Sequence, residues 1–455
     1  MHFWQLREKF STSMLGSMHL SEMQIQLRKT PPCAAYVDVE TVPHEVATVT
    51  DAARPTLVRT RQRAKDIDVV ITQGWGRIAY NIVRSLGRKG LKVALGTDEF
   101  GGMAVLSRYT STTFRHPSFV THPAEFVRNV RDSLITHKPR VYIPSDQEVL
   151  AIAKYRDQFD DVNVEIPISS FETLKVLHKK NELAGLAAEM GIPTPETIVP
   201  RNEQEFMDFA QRYGDPIVVK RISSSAARGV SYINRVDLEA GNASFVHSIP
   251  FGDFLIQRYV KGVGYGVSML FNHGRLRAKF THRRLREKFS TGGISTLRMS
   301  TANPLLEDYA EQILRRVQFH GVAMVEFKYD EESKRAWLIE VNPRFWGSLA
   351  LAIQSGVDFP YLLYRLATEG DITPVLDYRR NVTVRWLLGD AIAQMHQLKH
   401  HSLSVPDGRV KVDGYDDLYW NDPVPFVAQL WLSVIKKRKM AKLSSEEMDP
   451  VIDRL

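Results

Sequence analysis

Two short stretches carry most of the structural information in this chain: Val325-Glu326-Phe327-Lys328 and Glu340-Val341-Asn342-Pro343-Arg344. Each glutamate ends an apolar run, and such runs predict buried strands. If the two strands are antiparallel neighbours, both carboxylates point to one face, where they repel each other unless a cation lies between them. A salt bridge is the common explanation for one acidic residue, but this combination favours a metal site.

The expected metal ligands are Glu326, Glu340 and Asn342. Magnesium suits this set because it prefers hard oxygen ligands and is usually shared with substrate phosphates. Arg344 follows directly and has the forked donors that match phosphate or carboxylate anions. The sequence therefore predicts a site for a metal ion and a phosphorylated substrate.

Composition limits the class of protein. The chain has 455 residues, 44% of them apolar and 25% charged, which predicts two or three globular domains. Its one cysteine, Cys33, cannot form an internal disulfide, so a reducing cytoplasm is expected. The net charge of +8 is explained by scattered surface cations and an anion-binding site. The alternative explanation of this charge is nucleic-acid binding. No zinc-finger or RRM signature supports it, and we expect no nucleic-acid partner.

Changes of sequence texture predict four segments. Residues 1–66 have no sustained period and are expected to be a mobile extension, without the hydrophobic run of a secretory signal. Its heptapeptide 6–12 recurs as 285–291, for which coincidence is one explanation. Alternating strands and helices predict an α/β domain at 67–178, strand-rich sequence predicts an α+β region at 179–372, and 373–455 is expected to be a C-terminal helical extension.

The first strand-turn-helix unit permits a competing function. Gly74-Trp75-Gly76-Arg77-Ile78-Ala79 satisfies the glycine fingerprint of a dinucleotide-binding turn, and Asp98 follows the next predicted strand. Taken alone, this pattern would indicate an NAD(P)-dependent oxidoreductase. No catalytic residues for hydride transfer follow downstream, which disfavours that interpretation.

From Ile67 to Gly370, the chain resembles the ATP-grasp superfamily. The resemblance rests on the two metal-site stretches and is closest to carboxylate-amine ligases, in which stretches similar to 282–287 and 342–348 recur. Carbamoyl-phosphate synthetase and biotin carboxylase contain such domains. The resemblance implies a Rossmann-like pre-ATP-grasp domain, an ATP-grasp fold of two α+β subdomains and a small C-terminal extension.

The resemblance also implies a nucleotide site. Lys180 matches the first nucleotide-contacting lysine, although Lys179-Lys180 replaces the usual Asp-Lys and leaves the choice between them open. Lys220 matches the second lysine, which reaches the phosphates, and 223–229 occupies the place of the phosphate-covering loop. The remaining expected contacts are Ser223, Ser224, Ser225 and Gly229 in that loop, and Gln257, Tyr259 and Val260 in the strand next to adenine.

The implied activity is ATP-dependent ligation with Mg²⁺ or Mn²⁺. A small-molecule carboxylate would be activated as an acyl phosphate and joined to an amine or related nucleophile. Lys220, Arg298 and Arg344 are the expected catalytic residues, with His282, Arg283 and Arg344 at the substrate. Arg284 is a further candidate substrate contact, and a solvated basic strand end is the alternative explanation for 282–284. A homodimer is common among such enzymes. A non-catalytic nucleotide-binding protein remains the other alternative, disfavoured by the intact metal ligands.

The C-terminal region permits two interpretations. Phe426 to Ile435 is apolar, and Lys436-Lys437-Arg438-Lys439 follows directly. The segment 426–439 is either a packed helix with a solvated basic end or a peripheral contact with anionic membrane lipid.

Overall fold

The fold is that of a computed structural model of the chain. The structure describes residues 66–98, 101–213, 216–221, 230–234, 250–289, 292–399 and 410–431. The expected N-terminal extension up to residue 65, the first copy of the repeated heptapeptide and the loop containing Ser223, Ser224, Ser225 and Gly229 lie outside the described residues.

A four-stranded parallel sheet begins the described part of the chain. Its strands are β1 (Val69–Ile71), β2 (Val93–Thr97), β3 (Thr110–Arg115) and β4 (Val141–Ile143). They are arranged in the order β3-β2-β1-β4. The β-branched run that predicted β1 is fully buried, as expected for a parallel strand covered on both faces.

Helices cover and connect the sheets. Asn303 caps the helix that follows it by accepting a hydrogen bond from the Leu306 amide (3.3 Å), and Pro304 occupies its first turn. The helices are α1 (Arg77–Arg88), α2 (Pro123–His137), α3 (Glu148–Lys154), α4 (Phe171–His178), α5 (Lys180–Glu189), α6 (Glu203–Tyr213), α7 (Pro304–Arg316), α8 (Leu349–Ser355), α9 (Phe359–Glu369), α10 (Leu387–Lys399) and α11 (424–431).

The central element is a seven-stranded sheet. Its strands are β9 (Val263–Asn272), β10 (Arg275–Phe289), β11 (Gly292–Thr301), β12 (Gly321–Tyr329), β13 (Ala336–Asn342), β14 (Thr383–Arg385) and β15 (Gly414–Tyr415). They follow the order β13-β12-β9-β10-β11-β14-β15, and the pairs are antiparallel except β14 with β15. The expected hairpin of the two metal-site strands is therefore confirmed.

A smaller antiparallel sheet carries the two strands expected at the nucleotide. Its strands are β5 (Thr197–Ile198), β6 (Ile217–Arg221), β7 (Val230–Ile233) and β8 (Phe254–Arg258), in the order β5-β8-β6-β7. Phe206 of α6 packs edge-to-face on Phe254 of β8, with ring centroids 6.3 Å apart, and both are buried. This separate small core makes β6 and β8 a rigid platform for their side chains.

The structure differs from the sequence expectations in two places. The sequence predicts a strand over 276–281, whereas β10 continues to Phe289, where it pairs with Gly292 of β11. The region from 373 onward is not wholly helical, because β14 and β15 from that region join the central sheet. No helix among the described residues is long and apolar enough to cross a membrane.

Candidate active site

Glu326 and Glu340 lie directly opposite each other on β12 and β13. The Asn342 amide lies between them, with its Nδ2 3.2 Å from Glu326 Oε1 and 3.1 Å from Glu340 Oε1. Asn342 is buried, and the Glu326 side chain is only 15% exposed. The three expected metal ligands therefore converge on one small polar patch of the central sheet.

The two carboxylates differ in their affinity for a proton. Burial raises the pKa of Glu326 to about 7; the Arg284 guanidinium opposes this rise, and the charge of Glu340 adds to it. Burial would also raise the pKa of Glu340, but Lys180, Asn342 and Lys220 outweigh that effect, so its pKa lies below the ordinary value. Glu340 is thus the permanent anion of the pair, and Glu326 is the group that takes up the first proton.

Arg284 of β10 crosses β9 to reach this patch. Its guanidinium forms an ion pair with Glu326 and another with Glu287, at 3.2 Å. A Cβ at Gly264 of β9 would lie 2.8 Å from Arg284 Cδ, so the absence of a side chain there leaves the room that the arginine occupies. Burial lowers the pKa of Arg284, but the negative charges of Glu326 and Glu287 outweigh that effect and keep the pKa above the ordinary value.

The two lysines expected at the nucleotide face the same carboxylates. Burial lowers the pKa of Lys180, against the attraction of Glu340. Burial likewise lowers the pKa of Lys220 to about 8, again opposed by Glu340. Lys220 Nζ donates to Gln257 Oε1 at 2.6 Å, which fixes the lysine on its strand. Lys179 instead forms an ion pair with Glu182 at 3.9 Å, so Lys180 is the lysine coupled to the site.

The donor set fits a magnesium ion that is shared with phosphates. It offers two carboxylates and one amide on one face, and burial together with the charge of Glu340 raises the pKa of Glu326. Within the described ranges, no group of three or more His, Cys, Asp or Glu side chains could hold a metal alone. A cation at Glu326 and Glu340 would therefore take further oxygen ligands from phosphate or water, which is the usual situation for magnesium.

The other expected nucleotide contacts follow β8. The side chain of Gln257 lies between Lys220 and Thr197, donating to Thr197 Oγ1 at 2.9 Å. Tyr259 is 44% exposed just past the end of the strand, and Val260 is buried. Their proximity to adenine stays a prediction.

Arg298 does not have the exposed position that its expected role requires. Its side chain is 1% exposed, and its guanidinium forms an ion pair with Asp416 and donates to the Ser295 carbonyl oxygen at 2.8 Å. Asp416 also forms an ion pair with Arg77. In this structure Arg298 thus belongs to a buried ion-pair network that joins the C-terminal segment to the central sheet, and its expected contact with phosphoryl oxygens stays a prediction.

His282 and Arg283, the expected substrate contacts, lie on opposite faces of β10, because consecutive residues of a strand alternate. His282 is buried, and its Nε2 is 3.3 Å from Ser348 Oγ. Burial, together with the positive charges of Arg284 and Arg298, lowers its pKa well below the ordinary value. Arg283 forms an ion pair with Glu331 at 2.9 Å on the other face. The two side chains therefore do not converge on one face, and their contact with a substrate stays a prediction.

Arg344 lies where the central sheet meets the parallel sheet. Its Nε is 3.2 Å from Asp146 Oδ1, and its Nη1 donates to the Phe345 carbonyl oxygen at 2.8 Å. Its side chain is 11% exposed, whereas Asp146 is 44% exposed. An arriving anion can replace this partly solvated aspartate, so the substrate role of Arg344 stays a prediction.

The glycine turn after β1 has a packing explanation. A Cβ at Gly74 would lie 2.8 Å from Leu95 Cδ2 and 3.2 Å from the Gly96 carbonyl oxygen, so close strand packing alone requires glycine. The next helix begins at Arg77, whose Nη1 donates to the Gly347 carbonyl oxygen at 2.9 Å and whose guanidinium contacts Asp416. These contacts remove the main reason for reading the turn as a dinucleotide site.

Lys328 had no role assigned from the sequence, and Arg284 was expected only as a substrate contact, not as the partner of Glu326. The glycine spacing of β9 is the signal that could have indicated Arg284, because Gly264 leaves space opposite it. Lys328 lies two residues after Glu326, hence on the same face of β12, and its charge helps to lower the pKa of Lys220.

Comparison with known proteins agrees with this geometry. Residues 250–389 match a family model described as "ATP-grasp in the biosynthetic pathway with Ter operon". The large chain of carbamoyl phosphate synthase from Thermoanaerobacter sp. (strain X514) is 23% identical over 314 residues, which are 63% of this chain and 28% of that protein. The aligned part thus spans little more than a quarter of that relative's length.

Solved structures of low sequence identity share the fold. Biotin carboxylase from Campylobacter jejuni, in complex with β-γ-ATP, superposes with a TM-score of 0.58 at 15% identity over 70% of this chain and 74% of that one. L-amino acid ligase from Bacillus licheniformis gives 0.52 at 16% identity over 68% and 77% of the two chains. The prediction of a mixed α/β protein similar to ATP-grasp carboxylate-amine ligases is confirmed.

Proposed function

We propose that this ATP-grasp chain is an ATP- and magnesium-dependent ligase that activates a small-molecule carboxylate as an acyl phosphate and joins it to an amine. The observation that supports this proposal best is the pairing of Glu326 with Glu340 across two strands, facing Lys180 and Lys220. A protein that only packs this sheet gains nothing from burying two carboxylates side by side, because their repulsion costs stability.

The residues present suit the first step, phosphoryl transfer. Magnesium, when bound, would neutralise the β- and γ-phosphate charges, held by Glu326, Glu340 and Asn342. Lys220 Nζ is held by its hydrogen bond to Gln257 Oε1 at 2.6 Å, so its ammonium group is preorganised to donate hydrogen bonds to phosphate oxygens. An oxygen of the substrate carboxylate attacks the γ-phosphorus, the bond from that phosphorus to the β-phosphate oxygen breaks, and ADP leaves. Most of the catalysis of such a transfer comes from positioning and charge.

The second step forms the new bond to nitrogen. The amine attacks the carbonyl carbon of the acyl phosphate, the carbon–oxygen bond to phosphate breaks, and the amine loses a proton. Arg344 holds the substrate carboxylate by exchanging its contact with Asp146 for the substrate, as forked donors favour. The loop at 223–229 excludes water from the anhydride, as the resemblance implies.

The proposal also includes a cellular compartment and an oligomeric state. The single cysteine fits a reducing cytoplasm. A homodimer is the expected assembly, and sedimentation equilibrium of the purified protein tests it. The activity of the whole protein remains an inference, since the matched relative is much longer than this chain.

A substrate screen tests the proposed function. Purified protein is incubated with ATP, magnesium and pools of carboxylates and amines, and release of ADP and phosphate is measured. We expect release only with a matching carboxylate. Hydroxylamine added without amine should trap the acyl phosphate as a hydroxamate. NADH binding without any effect of ATP would favour an oxidoreductase, and tight ATP binding without turnover in any pool would favour a non-catalytic nucleotide-binding protein.

A further inference from the structure

The end of the described chain has an exposed apolar surface, here called the tryptophan face. It consists of Trp420, Val424, Val427, Leu430 and Trp431, which are 86%, 55%, 62%, 46% and 68% exposed. The last four belong to α11, where the spacing of 424, 427 and 431 places those residues on one side of the helix. This helix contains no charged residue. Contiguous apolar surface of this kind marks an interaction site.

The opposite side of this segment is fixed to the protein. Asp422 is 3% exposed and accepts hydrogen bonds from Ser107 Oγ (2.5 Å) and the Arg108 amide (3.1 Å). The Tyr80 hydroxyl donates to the Asp422 carbonyl oxygen at 3.1 Å, and Pro425 in the first turn of α11 is buried. The tryptophan face is therefore held outward by buried contacts at its base and cannot turn inward without breaking them.

The charge of the adjoining sequence identifies the occupant. Leu432, Val434 and Ile435 extend the apolar sequence, and the run 436–439, Lys-Lys-Arg-Lys, follows. Tryptophans favour the boundary between headgroups and acyl chains, and each basic residue near an anionic bilayer contributes about 1 kcal/mol of attraction. A second copy of the chain would bring the same four cations against the first, which disfavours self-association through this face.

We infer that the tryptophan face docks on the surface of a bilayer that contains anionic lipid. The apolar side chains of this face enter the headgroup region, and the positive charge of the sequence that follows favours anionic over neutral lipid. This inference is independent of the proposed ligase activity, because the face shares no residue with the site at Glu326 and Glu340.

The test uses full-length protein and vesicles of phosphatidylcholine with or without phosphatidylserine, and co-sedimentation measures binding. We expect binding that requires phosphatidylserine and weakens with salt. The pair Trp420→Ser and Trp431→Ser should reduce affinity at least about tenfold. The matched control pair is Ile135→Ser and Leu305→Ser, which removes apolar residues that are 45% and 37% exposed on α2 and α7, and it should bind like wild type.

Three outcomes would overturn the inference. These are absence of binding to phosphatidylserine vesicles, equal binding by the tryptophan pair and wild type, and a concentration-dependent dimer that only the tryptophan pair abolishes. If both variant pairs melt at the same temperature as wild type, a loss of binding does not come from unfolding. Replacing the four basic residues 436–439 by glutamine should remove the dependence on phosphatidylserine.

Discussion

Replacing each of the two facing glutamates by glutamine should change the stability of the metal-free protein in opposite directions. The pKa of Glu326 rises from 4.5 to about 7 on folding, so its ionisation opposes folding. At about 1.4 kcal/mol for each pKa unit, the charge of Glu326 costs up to about 3 kcal/mol above pH 8. Glu326→Gln removes that cost and should raise Tm by roughly 3–4 °C.

Glu340→Gln is the matched control, because it makes the same change on the neighbouring strand. The pKa of Glu340 lies below its ordinary value, so its charge stabilises the fold above pH 5 by attracting Lys180 and Lys220. This variant should therefore melt below wild type at pH 8.5.

Differential scanning calorimetry in EDTA measures both variants at pH 8.5 and pH 5. At pH 5 folded wild-type Glu326 is protonated and only the unfolded state is still partly ionised, so the difference between Glu326→Gln and wild type should become much smaller. A shift of both variants in the same direction at pH 8.5 would show that the two carboxylates do not divide their charge as described.

Three further results are expected. Lys220→Met should raise the Kd for ATP by about tenfold to a hundredfold, because a hydrogen bond to a charged group contributes about 1.5–3 kcal/mol, whereas Lys179→Met should leave it unchanged; isothermal titration calorimetry measures both. The affinity for magnesium-ATP should rise with pH towards 7 as Glu326 ionises and fall above pH 8 as Lys220 loses its proton; a flat profile between pH 6 and 9 would contradict those pKa values. Asp416→Asn should destabilise the fold by about 3–5 kcal/mol in urea denaturation, because it leaves two buried arginines without their carboxylate, and a loss below about 1 kcal/mol would show that this network is unimportant.

The convergence of the expected metal ligands could be predicted from sequence because its signals are local. Glu326 and Glu340 each end an apolar run, and the chain between them is short enough to form a hairpin, which brings the two residues opposite each other. Lys220 was also predictable, since it ends the apolar run of β6. In each case the residue and the strand that positions it are neighbours in sequence.

The surroundings of Arg298 and Arg283 could not be predicted, because they depend on structure that is remote in sequence or on the length of a strand. Arg298 is held by Asp416, 118 residues later, and nothing near Arg298 indicates that partner. Arg283 was named together with His282 as a substrate contact, but the strand continues to Phe289, and the alternation along it separates their side chains. The strands β14 and β15 have only three and two residues, too few for a recognisable period.

The most direct test of the proposed site is calorimetric titration of magnesium-ATP into wild-type protein and Glu340→Gln at pH 7.5. Wild type should bind ATP in a magnesium-dependent manner, and EDTA should weaken that binding. Glu340→Gln should lose the magnesium dependence, because the carboxylate that stays ionised beside Lys180 and Lys220 is gone. Magnesium-dependent ATP binding of wild-type strength in Glu340→Gln would place the nucleotide somewhere other than at these two strands.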